Sequence, residues 1–426
     1  MHRRRALALR SGGNPLFLTE LAGNPSVTDG EALPDSLEGL VTARIDRLPP
    51  PARALLRAAS VLGMRCESAL LDELIATSPM SISSLDQVDG LLAREGEEVH
   101  FLHQLVRDCA YGGLPFRARR DLHRRAARLL GLRATTPDLV GLLAVHSFCA
   151  GEYDAALEHS VTAARHARAQ YANTEALHHY RRAVEAGARR TPEDRDRRRM
   201  GRLWWELADI QIDLGDLAAA ADSLQRARRL VPDDPVHRAR TALSLVVERA
   251  LSDDHRNALA WATRALRDLE GVEGGEAAQL RSEAHRRRAL ARLGQGRLVA
   301  AARESEDAVR TARSGRVPGE LAHAVALQAS ILSELGRPVD LDLLLSSSRH
   351  PEVRQDLRRS AWLENAIGVT AFNQSAWEIS REAYLTAERL YVEMGRPIDI
   401  ALQQANQAEV LIFQGSLEEE IGRAHV

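Results

Sequence analysis

The sequence has 426 residues, of which 45% are hydrophobic and only 4% aromatic; this favours helices packed through small side chains over a sheet core. Its 57 basic and 59 acidic residues give a formal net charge of −2, which excludes a whole-molecule field that attracts nucleic acid or anionic membrane. All 57 basic residues are arginine, and a phosphate-binding P-loop, which needs lysine, is therefore excluded from this chain.

The cysteines and the apolar runs indicate the compartment. Cys66, Cys109 and Cys149 are odd in number and far apart, which argues against a disulfide framework and against a clustered zinc site. No run of eighteen or more apolar residues occurs, and the chain does not start with a secretion signal. We expect a cytoplasmic protein with no membrane partner.

The first predicted helix lies between Pro34 and Leu48, where apolar residues recur at helical spacing behind Asp35 and Ser36. Three further short helices and one strand or wing are predicted at 52–62, 68–75, 84–92 and 97–101. Short helices that end in a small β-element predict a winged-helix-like domain over residues 34–135.

Beyond Pro137 the sequence repeats itself, and the clearest unit runs from Gly201 to Pro232. Its tryptophan, glycine and small residues recur at the offsets of a tetratricopeptide repeat of roughly thirty-four residues. Small residues allow two antiparallel helices to approach closely, and glycine permits the turn between them. Similar units are marked by Gly151 and Ala156, Ala176 and Tyr180, Ala258 and Ala262, Gly296 and Ala301, and Gly368 and Ser380. We predict an all-α protein in which residues 136–420 form an α-solenoid of helical hairpins.

The repeat pattern weakens in two places. Between Gly336 and Pro351 the small second-helix positions are lost, and the unit that begins near Ala408 fails after Leu417. One permitted set of codons for residues 421–426, ATC GGA AGA GCA CAC GTC, resembles the start of a sequencing-library adapter. We expect this tail to be of non-biological origin, and we expect both ends of the chain to be incomplete.

Two motifs resemble elements of STAND-class ATPases, which are signalling switches that alternate between ADP-bound and ATP-bound states. Residues 13–17, Gly-Asn-Pro-Leu-Phe, resemble the Gly-x-Pro-Leu element that follows the nucleotide-binding core. Residues 102–108, Leu-His-Gln-Leu-Val-Arg-Asp, resemble the Met-His-Asp motif of the winged-helix domain, with Leu102 and Gln104 replacing methionine and aspartate.

This resemblance implies that residues 1–33 are the end of a truncated nucleotide-binding ATPase module. Pro15 would then pack against the base or ribose, and His103 would face the β-phosphate of ADP. A loop proline and a histidine that closes the wing are the alternatives. The resemblance implies no cofactor in this chain itself and ATP or ADP in the intact parent.

Residues 111–123 resemble a segment of actinobacterial proteins that join a nucleotide cyclase, such an ATPase and tetratricopeptide repeats. Large LuxR-type transcription regulators have a related architecture with a helix-turn-helix output domain. The resemblance does not choose between these outputs. It implies an upstream ATPase core as an intramolecular partner.

The clearest repeat supplies the predicted partner-binding residues. Arg202, Trp205, Asp209 and Ile212 occupy first-helix positions that line the inner groove of such repeats, where a protein or peptide would bind. Trp205 is the predicted anchor, because aromatic residues are enriched at binding hot spots. The alternative for Trp205 is partial burial against the neighbouring repeat.

Other polar clusters indicate no catalysis. Six arginines share one predicted helix: Arg117, Arg119, Arg120, Arg124, Arg125 and Arg128. We interpret them as a solvated face or a docking surface for the ATPase core rather than a nucleic-acid site, because no aromatic residues interleave and the net charge is near zero. We find no nucleophile with a base and no metal-ligand spacing, and we predict no catalytic residues, no metal site and no enzyme activity in this chain.

The favoured function is regulatory. The repeats would recognise a protein or effector, and the winged helix would pass this event to an ATP/ADP switch located upstream. The alternative is a stand-alone scaffold or adaptor that uses the repeats to bind partners.

Overall fold

A computed structural model describes residues 36–76, 88, 90–133, 136–190 and 196–415. The expectations for residues 1–33, for Pro15 and for residues 421–426 lie outside this range. The chain forms two compact units, one within residues 1–169 and 178–194 and the other within residues 170–177 and 195–426.

The first unit combines short helices with a small sheet. Its elements in chain order are α1 Leu37–Arg47, α2 Pro50–Leu62, β1 Arg65–Glu67, α3 Ser68–Ile75, β2 Leu92–Glu95, β3 Glu98–Phe101, α4 Gln104–Gly112, α5 Phe116–Gly131, α6 Pro137–Ala150 and α7 Tyr153–Ala169. Helix α8, Asn173–Arg189, has residues in both units. The predicted boundary between residues 135 and 136 falls between α5 and α6, which pack against each other within the first unit; the domain scheme itself stays a prediction.

The sheet is antiparallel in the order β1-β3-β2. β3 confirms the predicted strand, and β1 and β2 are additions. The predicted helix at 84–92 is wrong at its end, because Leu92 begins β2 and pairs with Phe101. The sequence Leu-Ala-Arg-Glu has helix-forming residues, but Gly96 adopts a φ of 62° in the turn before β3, and this turn fixes β2 as a strand.

An apolar core holds the first unit together. Leu55, Leu56, Leu71 and Val99 are at most 1% exposed and belong to one cluster that spans the helices and the sheet. Ser36 starts α1 as expected, since its hydroxyl accepts a hydrogen bond from the backbone N–H of Gly39 at 3.1 Å.

The second unit is a row of helical hairpins, which confirms the predicted all-α repeat architecture. Its helices are α9 Arg197–Asp213, α10 Leu217–Leu230, α11 Pro235–Leu251, α12 His255–Asp268, α13 Gly275–Gly294, α14 Leu298–Ser314, α15 Pro318–Glu334, α16 Leu341–Ser348, α17 Pro351–Arg354, α18 Leu357–Asn373, α19 Trp377–Glu393 and α20 Pro397–Phe413.

The repeat is longer than the sequence indicated. The first helices of successive hairpins begin at residues 197, 235, 275, 318, 357 and 397, so the spacing is 38 to 43 residues rather than about thirty-four. Helices such as α9, α11 and α18 contain 17 residues each. In the first two hairpins the helices and their turn span 34 residues, 197–230 and 235–268, and the links to the next hairpin add four and six residues.

Small residues occupy the helix crossings, as predicted. Ala220, Ala258, Ala301 and Ser380 lie at the same offset in four second helices, and each is 0% exposed. The turn after each first helix contains a left-handed residue two positions beyond the helix end, as at Gly215 with a φ of 77°. A short turn and a close crossing together define each hairpin.

One hairpin departs from this plan. In place of a single second helix it has α16, of eight residues, and α17, of four residues. Leu344 and Val353 are both 0% exposed, and they pack these short helices into a core shared with the neighbouring helices. This break coincides with the region between Gly336 and Pro351 where the sequence pattern weakens.

Hydropathy gives no membrane segment in the described part of the chain, since no helix there combines the length and the apolar character that a bilayer crossing requires.

The crossing of α18 and α19 can be tested at Gly368. A Cβ atom at this position would lie 2.5 Å from Cε1 of Tyr384, whose side chain is only 4% exposed. We expect Gly368→Ala to destabilise the second unit by about 1–3 kcal/mol through overpacking, as measured by urea unfolding. Gly275→Ala is the control, because no atom lies within 4 Å of its added Cβ; equal stability of the two variants would contradict the close crossing.

Candidate functional site

The first helices of the second unit form a continuous surface. Helices α9, α11, α13, α15 and α18 contact one another in succession, whereas the second helices mainly contact first helices. A cavity of about 550 Å³ opens on this surface across α9, α11 and α13. Its lining side chains include Arg202, Trp205, Glu206, Asp209, Arg240, Leu243, Ser244, Val247, Glu276, Glu283 and Arg287.

Three of the four predicted groove residues line this cavity. Arg202, Trp205 and Asp209 do so, whereas Ile212 does not. Ile212 is 9% exposed and belongs to an apolar cluster with Leu245. The expectation that Ile212 faces the groove is therefore corrected, because the neighbouring repeat covers it.

Trp205 is fixed between two repeats. Its indole Nε1 donates a hydrogen bond to Oγ of Ser244 on α11 at 2.8 Å, and the guanidinium carbon of Arg240 lies 5.2 Å from the ring centroid. The alternative of partial burial against the neighbouring repeat thus describes part of its environment, while the same side chain also lines the cavity. A ring held in this way loses little conformational entropy on binding a ligand.

The rest of the lining follows the same helix positions in the next two repeats. Arg202, Trp205 and Asp209 lie 5, 8 and 12 residues beyond the start of α9. The same offsets give Arg240, Leu243 and Val247 on α11, and Leu280, Glu283 and Arg287 on α13, all of which line the cavity. These residues were missed because their helix starts were not known, but the offsets are a usable sequence signal.

Ion pairs give the cavity a polar wall. Arg240 forms a salt bridge with Glu276, which links α11 to α13, and Arg287 pairs with Glu283 at 2.6 Å within α13. Both signs of charge are therefore held in place along the cavity, which suits a polar segment more than an entirely apolar one.

A more deeply buried ion cluster lies on the next helices. Nε of Arg286 on α13 donates to Oε1 of Glu320 on α15 at 2.9 Å, and their side chains are 13% and 5% exposed. Nδ1 of His323 is 3.6 Å from Oε2 of Glu320. The imidazole ring of His323 packs edge-on against the indole of Trp362, with ring centroids 5.4 Å apart. Burial favours a raised pKa for the Glu320 carboxyl, but Arg286 and His323 outweigh it and hold this pKa below its usual range.

This cluster predicts a large penalty for removing one partner. Arg286→Met leaves the Glu320 carboxylate buried without its cation, and we expect a loss of about 3–5 kcal/mol in unfolding free energy. The double variant Arg286→Met/Glu320→Leu should recover most of it, since no buried charge then remains.

The matched control is Arg396→Met, because the Arg396 side chain is 50% exposed in its pair with Asp399. Its loss should stay below about 1 kcal/mol. Similar losses for Arg286→Met and Arg396→Met in urea unfolding would contradict the assigned role of the buried pair.

His103 lies immediately before α4, and its side chain is exposed and makes no capping hydrogen bond. It lies two residues beyond the end of β3. Its role toward a nucleotide phosphate stays a prediction, as does that of Pro15.

The arginines of α5 are used largely within the first unit. Arg119 donates to the carbonyl oxygen of Tyr111 at 3.1 Å, Arg120 to that of Ala150 at 3.1 Å, and Arg125 to that of Leu74. Arg124 pairs with Glu152 at 3.3 Å. Four of the six guanidiniums therefore bind helix ends or acids of the same unit, which leaves less free charge on this helix than the sequence suggests.

Beside these arginines is a buried polar chain. Oη of Tyr111 on α4 is 2.9 Å from Nε2 of His123 on α5, and Nδ1 of His123 is 3.0 Å from Nδ1 of His146 on α6. Burial, helped by His146 and nearby arginines, lowers the pKa of His123 to about 3. Burial lowers the pKa of His146 to about 4. No local sequence pattern indicates this contact, because the two histidines are 23 residues apart.

The histidine pair predicts acid sensitivity. Both pKa values are lowered in the folded state, whereas an unfolded histidine has a pKa of about 6.5, so unfolding takes up protons below that pH. Stability should be full above about pH 6.5 and fall with decreasing pH, by up to about 1.4 kcal/mol per pH unit for each histidine.

Urea unfolding between pH 8 and pH 5 would measure this dependence. His146→Gln should lower the slope of unfolding free energy against pH by the contribution of about one proton. Glutamine keeps hydrogen-bonding capacity but does not titrate. His178→Gln is the control, since His178 is exposed on α8. An unchanged pH dependence in His146→Gln would exclude the pair as its source.

One group within the described residues has metal-ligand geometry. His285, Glu304 and Asp307 have ligand atoms within 4.8 Å of one another. Glu304 also pairs with Arg288 at 2.8 Å, and Asp307 pairs with Arg310. Guanidiniums already neutralise both carboxylates, so this group is an ion-pair network.

Comparison with known proteins supports the fold. No protein-family model and no curated protein sequence matches the chain. Among solved structures, it is similar to a Signal Transduction ATPase with Numerous Domains (STAND) protein with a tetratricopeptide repeat sensor from Pyrococcus horikoshii. The TM-score is 0.50 at 14% identity, over 99% of this chain and 62% of that structure.

Two further structures are more distant. Aspartyl phosphate phosphatase F from Bacillus subtilis has a TM-score of 0.46 at 12% identity, over 92% of this chain and 94% of its own. Yeast Tom70 has a TM-score of 0.36 at 12% identity, over 98% of this chain and 85% of its own. At 14% identity the similarity to the STAND structure shows the tetratricopeptide-like helical fold alone.

Proposed function

We propose that the chain is a protein-binding regulator whose second unit holds a segment of a partner across α9, α11 and α13. The observation that carries this proposal is the cavity of about 550 Å³ lined at the same offsets of three consecutive first helices. Each of the three helices contributes one set of contacts, so the contacts follow one another along the row of repeats. This arrangement suits an extended peptide or one face of a partner helix.

The partner chemistry follows from the lining. Trp205 supplies a fixed aromatic wall, against which one large apolar side chain of the partner would lie. Arg202 is exposed beside it, and the Arg240–Glu276 and Arg287–Glu283 pairs continue along the cavity. A polar segment with a single bulky apolar anchor fits this surface better than a run of apolar residues.

We also propose that residues 34–135, within the first unit, form a winged-helix-like module coupled to an ATP/ADP switch in the intact parent. Two helices, α2 and α3, alternate with β1, and the β2–β3 hairpin acts as the wing. The motif histidine, His103, lies two residues beyond the end of β3 and directly before α4. The STAND structure with a tetratricopeptide sensor is consistent with this arrangement, and the upstream ATPase core would be the intramolecular partner.

Peptide selection on the full-length chain tests the groove. A selected peptide should bind Trp205→Ala at least about tenfold more weakly than wild type, which is about 1.4 kcal/mol. Trp204→Ala is the matched control, because Trp204 is the adjacent tryptophan and does not line the cavity. If fluorescence anisotropy gave equal Kd values for wild type and Trp205→Ala, the proposed groove would be wrong.

The switch is tested separately by sequencing the source DNA across both ends of the reading frame. An upstream P-loop in the same frame would support the ATP/ADP-coupled regulator. An intact gene without a P-loop would contradict the coupling and leave the stand-alone scaffold.

A further inference from the structure

A second cavity, of about 490 Å³, lies within the first unit between α2, α3 and α5. Its floor is apolar and consists of Ala58, Leu74, Ile75, Leu114, Ala118 and Leu122. This volume and lining are typical of small-molecule sites, which are mostly apolar with a few polar groups that fix orientation.

The rim of this cavity carries arginines whose charge is incompletely balanced. Nη1 of Arg53 donates to the backbone carbonyl oxygen of Asp46 at 2.8 Å, and Arg125 donates to that of Leu74. Both acceptors are neutral, and within the described residues neither guanidinium has a carboxylate partner. The lining acid Asp121 pairs with Arg124 at 2.7 Å, which Glu152 shares at 3.3 Å, and among the described residues it forms no salt bridge with Arg53 or Arg125.

A third arginine adds an unused donor. Arg57 lines the cavity and pairs with Asp46 at 3.3 Å, but its Nε is buried and has no hydrogen-bond partner in the described part of the chain. Buried donors of this kind normally find an acceptor. The cavity therefore combines an apolar floor with a lining of three arginines and one acid, which gives net positive charge.

We propose that this cavity binds a small organic anion with an apolar body, of the class of aromatic or medium-chain carboxylates. The floor would bury the apolar body, and the guanidiniums would bind the carboxylate through charge-assisted hydrogen bonds. Charge complementarity is the reason for choosing an anion, since a neutral ligand would leave the positive charges of Arg53 and Arg125 without a carboxylate partner.

The test is titration calorimetry of the full-length chain with 2-naphthoate and with its neutral isostere 2-naphthamide. We expect saturable one-to-one binding of the naphthoate and at least tenfold weaker binding of the amide. Equal affinities, or no binding of the naphthoate at millimolar concentration, would overturn the proposal.

Variants locate the binding on the structure. Ala118→Trp should abolish it by filling the cavity, and Arg53→Gln should weaken it about tenfold by removing one cation. Arg128→Gln is the control, because Arg128 is exposed on α5, the helix that carries Ala118, and does not line the cavity. Thermal unfolding would establish that each variant is folded.

If Ala118→Trp does not fold, the naphthoate affinities of Arg53→Gln and Arg128→Gln test the site. Equal naphthoate affinity in these two variants would place the ligand elsewhere and reject this site. Weaker binding confined to Arg53→Gln would support it.

Discussion

The second unit depends on the short distance between the two helices of each hairpin. Small residues at the helix crossing allow that distance. Alanine or serine at one offset of the second helix lets the first helix approach. At Gly368 even a single carbon would collide with the Tyr384 ring. Because each crossing is close, the first helices come to lie next to one another and present equivalent faces on one surface.

That surface explains why charged residues recur inside an otherwise alanine-rich row. Successive first helices lie side by side, so charged side chains of one helix can meet those of the next. Arg240 and Glu276 meet in this way, and so do Arg286 and Glu320. Such pairs fix the register between repeats, while Trp205 adds a rigid apolar wall at one end of the cavity.

The sequence predicted what depends on local periodicity and missed what depends on distance along the chain. Small residues at fixed offsets located the hairpins, and Ser36 located a helix start, because both signals lie within one or two turns. Ile212 was misplaced because its cover comes from Leu245 in the next repeat. The His123–His146 contact was missed because it joins α5 to α6, and the strand β2 was missed because helix-forming residues were overridden by a turn.

The divided helix at α16 and α17 has a consequence for cooperativity. In a linear row each repeat is stabilised mainly by its neighbours, so the weakest junction determines how far an opening spreads. Two short helices, with few fully buried side chains, replace a long one at this junction. Because α15 and α18 also pack directly against each other, the row stays continuous there through its first helices, and amide hydrogen-exchange protection should be lowest in α16 and α17 themselves.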